Sequence, residues 1–367
     1  MRVAVDSTAL LDQPTGVGSF TRALLEGLAT HDAVDPLAFA LTWRGRGGLD
    51  DVVPSGVEVC SRPLPARPLR FAWSRTDLPR LDHLIGSHDL VHGTNFVVPP
   101  SSGAELVTVH DLTAVRFPEL CTADTLRFPA LITRAVARGA WVHTVSEHVR
   151  AEILEHFDVD AERVRVVPNA LRPAVPGDSA RGRTVAGAVD YVLAIGTIEP
   201  RKGLPTLVRA FDRLAADHPD LWLIHAGPEG WATEAFTTAA AAAAHGSRIR
   251  RLGYVSADDR AHLLAGARVF AYPSTYEGFG IPPLEAMAAG VPVVTSDAGA
   301  LVEIAGPASL QVPVDDSEAL ADALEQAITD DGLRHDLIAR GRDRAAEFDE
   351  KRMIDGMIRL YHDVLGR

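Results

Sequence analysis

Short apolar runs alternate along this chain with stretches in which apolar residues recur every three or four positions. Val3-Ala4-Val5, Leu90-Val91-His92, Leu106 to Val109, Trp141 to Val145 and Val164 to Val167 have the length and composition of buried strands. Between them, Phe20 to Leu28, Leu126 to Arg138 and Glu147 to His156 carry helical periodicity. Arg172 to Asp190 is only weakly apolar and holds Pro173, Pro176, Gly177, Gly182 and Gly187, which predicts an interdomain linker and surface loop. A second series of strands follows: Tyr191 to Ile195, Leu221 to His225, Ile249 to Tyr254, Val269 to Tyr272 and Val291 to Val294. Helices are expected over Leu204 to Asp217, Thr233 to Ala244, Asp258 to Ala265, Leu284 to Ala289, Ser317 to Asp330 and from Leu333 onward. Strands separated by helices indicate an α/β protein with parallel sheets, here two doubly wound domains. The expected boundaries are 1–172, 173–349 and a closing helical segment 350–367.

Composition narrows the function. A chain of 367 residues is long for one core and suits two. The net charge of −13 leaves no basic excess for nucleic acid. Cys60 and Cys121 lack metal-type spacing and read as free thiols of a reducing compartment. Met1 to Asp6 turns polar too soon for a signal peptide, and no apolar run approaches the roughly 20 residues that span a bilayer. The expectation is a cytoplasmic protein. The one basic stretch, Arg62, Arg67, Arg70, Arg75 and Arg80, reads first as a solvated face, with weak peripheral contact at an anionic inner membrane face or contact with a phosphate-bearing acceptor as its alternatives.

The most informative segment is Pro273 to Gly290, P-S-T-Y-E-G-F-G-I-P-P-L-E-A-M-A-A-G. It follows an apolar strand, bends at Gly278 and Gly280, and enters a helix through Pro282 and Pro283. A helix start after such a loop favours a phosphate. Glu277 and Glu285 flank it and would repel that anion, unless each faces hydroxyl groups, for which carboxylates are good acceptors. The pattern reads as a nucleotide-sugar site: diphosphate at the helix start near Gly280 and Ile281, sugar at Glu277, ribose at Glu285. Arg201 and Lys202, in Gly196-Thr197-Ile198-Glu199-Pro200-Arg201-Lys202-Gly203, follow the first strand of the second half and offer two cations to phosphate oxygens.

These residues resemble the Glu-x7-Glu signature and the basic clamp of retaining family-4 (group 1) glycosyltransferases of the GT-B fold, most closely their mannosyltransferase branch. The likeness is strongest over residues 191–306, moderate over 1–25 and 106–170, and weak over 40–90. It implies two Rossmann-like domains facing across a cleft and a last helix, Lys351 to Leu365, crossing back to the first domain. It implies metal-independent transfer of a hexosyl unit from a nucleoside diphosphate sugar to an acceptor hydroxyl. GDP-mannose leads as donor, ahead of UDP-glucose and UDP-N-acetylglucosamine. The acceptor is a carbohydrate, a lipid-linked or a small molecule, and no cofactor is called for. His110, Arg201, Lys202 and Glu277 carry the chemistry in this reading, His110 lying against the donor sugar and diphosphate. Gly16, Gly18, Gly196, Tyr254, Val255, Gly278, Phe279, Gly280, Ile281 and Glu285 bind the donor, and Asn95 and Asp111 face the acceptor.

Several of these segments also have plainer readings. Gly16-x-Gly18, in Pro14 to Phe20, reads equally as a tight turn, and the missing third glycine argues against a dinucleotide fingerprint. Ser256 with Asp259, and Ser146, read as helix caps. Asp158-Val159-Asp160 reads as a helix-to-strand loop rather than a metal site. The rival functions are a nucleotide-sugar epimerase of the same fold and a noncatalytic nucleotide-sugar-binding subunit.

Overall fold

The computed structural model describes residues 1–11, 15–43, 48–173 and 175–367. Pro14 of the N-terminal glycine segment and position 174 of the expected linker lie outside the described residues. The chain divides into two compact units, residues 1–170 with 350–367, and residues 171–349.

The first unit holds seven strands, β1 (Arg2–Asp6), β2 (Asp35–Leu41), β3 (Glu58–Arg62), β4 (Leu90–Gly93), β5 (Ala104–Val109), β6 (Trp141–Thr144) and β7 (Val164–Val166). They pair in the order β3-β2-β1-β4-β5-β6-β7, and every ladder is parallel. Alternation along β1 sends Val3 and Val5 to one face and Ala4 to the other. Helices Gly16–Ala29 and Glu350–Leu365 cover the Val3 face through Leu24, Leu25, Met357 and Tyr361. Helices Phe128–Ala137 and Glu147–His156 cover the other through Ile132 and Ile153.

A buried polar chain ties the last helix to this sheet. Nε2 of His143 faces the carbonyl oxygen of Val167 at 2.9 Å, so that nitrogen carries the proton. Nδ1 of His143 then accepts from the Thr108 hydroxyl, 2.9 Å away. Thr108 Oγ1 in turn accepts from Nε2 of His92 at 2.7 Å. His92 Nδ1 is left to accept from the Tyr361 hydroxyl at 2.9 Å. Every donor meets an acceptor, which is the condition for burying such a network. Burial pushes His92 well below the usual histidine range and His143 to about 3, so both rings are neutral.

The second unit has β8 (Asp190–Ile195), β9 (Leu221–Ala226), β10 (Ile249–Arg251), β11 (Val269–Tyr272), β12 (Val293–Ser296) and β13 (Leu310–Val312), in the parallel order β10-β9-β8-β11-β12-β13. Its core joins Val192, Leu223, Val269 and Val294 of the strands to Phe211 of the helix Leu204–Leu214 and Leu324 of the helix Ser317–Thr329.

Three expectations need correction. β2, β3 and β13 were not expected. β2 (Asp-Pro-Leu-Ala-Phe-Ala-Leu) lacks β-branched residues, and β3 and β13 are short edge strands, so periodicity was too weak to reveal them. The expected linker contains the helix Ser179–Ala186, capped by Asp178 at its start and by left-handed Gly187 at its end. Gly182, read as loop punctuation, is there for close packing: a Cβ would lie 1.9 Å from the carbonyl oxygen of His262 on the helix Ala257–Gly266. Gly16 and Gly18, expected in a loop that opens its amides to phosphate, stand in the first turn of the helix Gly16–Ala29. The N–H of Gly18 is already taken by the Thr15 cap, at 3.1 Å. Gly18 packs instead on Ala9, whose carbonyl oxygen would lie 3.1 Å from an added Cβ.

Candidate active site

Two loops at the carboxyl ends of neighbouring strands of the second unit build the site. β8 runs into Gly196 to Gly203, with a 3-10 turn over Pro200–Lys202, and β11 runs into Pro273 to Gly280. The loops are stitched together where Thr275 N–H donates to the Arg201 carbonyl at 2.7 Å. The helix Ile281–Ala288 starts at Gly280, whose φ of 127° lies where side chains are rarely tolerated.

Glu277 sits between both cations. Lys202 Nζ donates to its Oε1 at 2.6 Å and Arg201 Nη1 to its Oε2 at 2.8 Å. Arg201 Nε also reaches Glu199 at 2.8 Å, and Lys202 Nζ the Tyr272 hydroxyl at 2.7 Å. Burial alone would push the Glu277 carboxyl up, but Lys202 and Arg201 override it and hold it at about 2. Burial likewise works against the charged form of Lys202, and Glu277 reverses that, leaving the ammonium raised. Both cations are therefore fixed in place and fully charged. Each Glu277 oxygen accepts from one cation, and Ser274 adds to the stabilisation of the carboxylate.

Glu285 pairs with Arg260 of the helix Ala257–Gly266. Burial outweighs that partner and raises the Glu285 carboxyl. Tyr254, after β10, is exposed; Val255 is half-buried beside it. Gly196 donates its amide to Ala226 at 3.0 Å, joining the ends of β8 and β9. Phe279 lies in the core against Phe348, ring centroids 5.5 Å apart, so only its backbone is left to meet a donor. Ser256 and Ser146 are helix caps, each accepting from the amide three residues on.

His110 follows β5 in the first unit. Its Nε2 faces the Thr94 carbonyl at 2.9 Å and so carries the proton, while burial keeps the ring neutral. Nδ1 is thus an acceptor, suited to a sugar hydroxyl and not to a phosphate oxygen. Asp111 caps the next turn through Thr113 N–H at 2.9 Å. Asn95 lines a cavity of the first unit, and Asp111 is not part of that cavity's lining.

Two family models divide the chain between them: Glycosyltransferase Family 4 matches residues 14–175 and Glycosyl transferases group 1 matches residues 183–344. A phosphatidyl-myo-inositol mannosyltransferase of Mycolicibacterium smegmatis is 35% identical over 384 aligned residues, covering 100% of this chain and 95% of the relative. The chain belongs to the family-4, group 1 glycosyltransferases. An O-antigen chain mannosyltransferase B of Escherichia coli is 33% identical over 77% of this chain and 74% of its own. Sucrose-phosphate synthase from Thermosynechococcus elongatus superimposes with a TM-score of 0.77 at 20% identity, covering 100% of this chain and 99% of that one. The glycosyltransferase WaaG does so at 0.72 and 18%, covering 97% and 98%. The fold is GT-B.

In this glycosyltransferase, sequence reasoning missed Tyr272, Glu199 and Arg260. Tyr272 passed for one more apolar strand residue, although it is the last before the glycine-bearing loop. Glu199 stands inside the recognised basic segment, two residues before the arginine it holds. Arg260 carries no local signal, because its relation to Glu285 is purely tertiary.

Proposed function

We infer that this glycosyltransferase moves a mannosyl unit from GDP-mannose to an acceptor hydroxyl with retention of configuration and without a metal. The carrying observation is the Lys202–Glu277–Arg201 arrangement at the start of the helix Ile281–Ala288. Two fixed cations and a helix N-terminus are what a leaving nucleoside diphosphate requires. The C1–O bond to the diphosphate breaks, and a bond from the acceptor oxygen to C1 forms on the same face. The acceptor proton passes to the departing phosphate oxygen. Glu277 accepts from donor sugar hydroxyls on its remaining lone pairs, Glu285 from the ribose, and His110 Nδ1 from a sugar hydroxyl. The backbone around Gly196, Tyr254, Val255, Gly278 and Gly280 completes the donor site.

The mannosyl choice rests on the relatives named above, both mannosyltransferases. Among the described residues no helix is long and apolar enough to cross a membrane. A cytoplasmic enzyme with weak peripheral contact fits exposed Phe71 and Leu78 in the arginine-rich segment. Calorimetric titration of GDP into wild type and Lys202→Ala tests the reading. Lys202→Ala should bind GDP at least about tenfold more weakly, as expected for a lost charge-assisted contact. Equal affinities contradict it.

A further inference from the structure

This chain meets nearly every need for positive charge with arginine. Of its 36 basic side chains 34 are arginines, and the two lysines are Lys202 and Lys351. Lys351 is exposed and pairs with Asp355 one turn along the C-terminal helix. Lys202 is different: only 11% of its side chain is exposed, and it stands inside the candidate site. Arginine would present a planar fork there, whereas an ammonium presents three N–H groups from one point.

Two of those three N–H groups are used. Nζ donates to Glu277 Oε1 at 2.6 Å and to the Tyr272 hydroxyl at 2.7 Å. The third meets no acceptor among the described residues. Two acceptors at fixed positions fix the rotation of a tetrahedral ammonium, so the third N–H is left with one direction.

Tyr272 owes its hydroxyl to this contact and not to packing. It ends β11, is 4% exposed, and stacks its ring on Phe270 with centroids 6.1 Å apart. Phenylalanine would fill the same space, as Phe270 does two residues earlier on the same face of the strand. A buried hydroxyl destabilises the fold unless it is paired, and Lys202 is the partner it has among the described residues. Burial pushes this hydroxyl up to about 12, so it holds Lys202 as an uncharged group. A second carboxylate would anchor the ammonium equally well but would cancel the charge that a phosphate has to meet. A phenol anchors it and leaves that charge in place.

We propose that Tyr272 is a positioning residue of the glycosyl transfer: with Glu277 it locks the Lys202 ammonium and reserves one N–H for the oxygen that departs with the diphosphate. This role rests on the transferase reading, which alone supplies a departing diphosphate. Charge builds on that oxygen only as the bond to the sugar breaks, so the alignment acts on turnover more than on donor binding.

Tyr272→Phe keeps the ring and removes the acceptor, and thermal unfolding checks that it folds. Its turnover of GDP-mannose at saturation should fall about tenfold, with the donor KM within about twofold of wild type. In a Lys202→Ala background the same change should lower turnover about twofold or less, because the residue it acts through is gone. Lys202→Arg keeps the charge without the point geometry and should lose at least about tenfold in turnover. With two lysines in the chain, nitrogen NMR of lysine-labelled protein resolves the Lys202 ammonium, assigned by its loss in Lys202→Ala. Its protons should exchange with water about threefold faster or more in Tyr272→Phe. Full turnover in Tyr272→Phe, an equal loss with and without Lys202, or a wild-type rate in Lys202→Arg overturns the proposal. A wild type inert toward GDP-mannose and UDP-glucose, with the exchange difference present, contradicts the transferase reading while the Tyr272 contact stands.

Discussion

Glu277 Oε1 lies 2.6 Å from Lys202 Nζ while its Oε2 lies 2.8 Å from Arg201 Nη1, so one carboxylate holds both cations of the basic segment. Glu277→Gln keeps the shape and removes the charge. Among the described residues Lys202 would then lack a charged partner, while Arg201 would keep Glu199, at a cost of about 3 kcal/mol in folding stability. Turnover should fall about 10²-fold, because the cations lose their fixed positions. Denaturant unfolding and donor consumption, measured on one preparation, check both. The pH sign follows from the same pair. The Glu277 carboxyl drops from 4.5 to about 2 on folding, so its contribution is complete above about pH 4.5 and is lost as pH falls through that range toward 2. The variant should show a flatter acid limb than wild type.

Activity should survive EDTA. In the proposed reaction Arg201 and Lys202 supply the positive charge that a divalent ion would otherwise bring to the diphosphate. The check is donor turnover in chelator-treated enzyme with and without added magnesium, and the expected rates agree within about twofold. Complete, magnesium-reversible loss would show that a metal takes part.

Glu285→Gln should act on nucleotide binding, in contrast to Glu277→Gln. Its proposed partner is the ribose, which remains on the product, so affinity for free GDP should fall about tenfold with little further effect on the chemical step. Arg260→Ala should reproduce part of this loss by releasing the Glu285 side chain it pairs with. Calorimetry on the three variants resolves the roles. Intact GDP binding in Glu285→Gln, with loss in Glu277→Gln, would reverse the assignment.

Tyr361→Phe should loosen the C-terminal helix. It leaves His92 Nδ1 buried without its donor, at a cost of about 1–3 kcal/mol. Hydrogen exchange should accelerate first over residues 350–365. The neutral histidines also set an acid limit. Their folded pKa values lie below 6.5, His143 at about 3, so the unfolded chain binds more protons as pH falls below 6.5 and stability drops across that window. Denaturant midpoints should therefore be lower at about pH 5 than at about pH 7.5.

The two doubly wound units and the two loops of the candidate site are legible because buried parallel strands and glycine-proline helix starts leave local patterns. β8, β9 and β11 read clearly from their apolar runs, and Pro282 and Pro283 marked the helix entrance. What escaped depends on contacts distant in sequence. Gly182 looks like a loop residue until His262 is packed on it. Gly18 looks like a phosphate loop until Thr15 is seen to cap it. Asp6 ends a strand unremarkably, and only the folded chain brings it to a cavity with Arg70 and Asn95.

The proposed reaction is transfer of mannose from GDP-mannose with retention, driven by the Arg201–Lys202 charge. Proton NMR of GDP-mannose incubated with enzyme, with UDP-glucose as a parallel donor, tests it most directly, because slow transfer to water needs no knowledge of the acceptor. GDP-mannose should be consumed faster than UDP-glucose, and α-mannose should appear before β. Lys202→Ala should slow consumption about 10²-fold or more. Preference for UDP-glucose, β-mannose appearing first, or an unchanged rate in Lys202→Ala would contradict it.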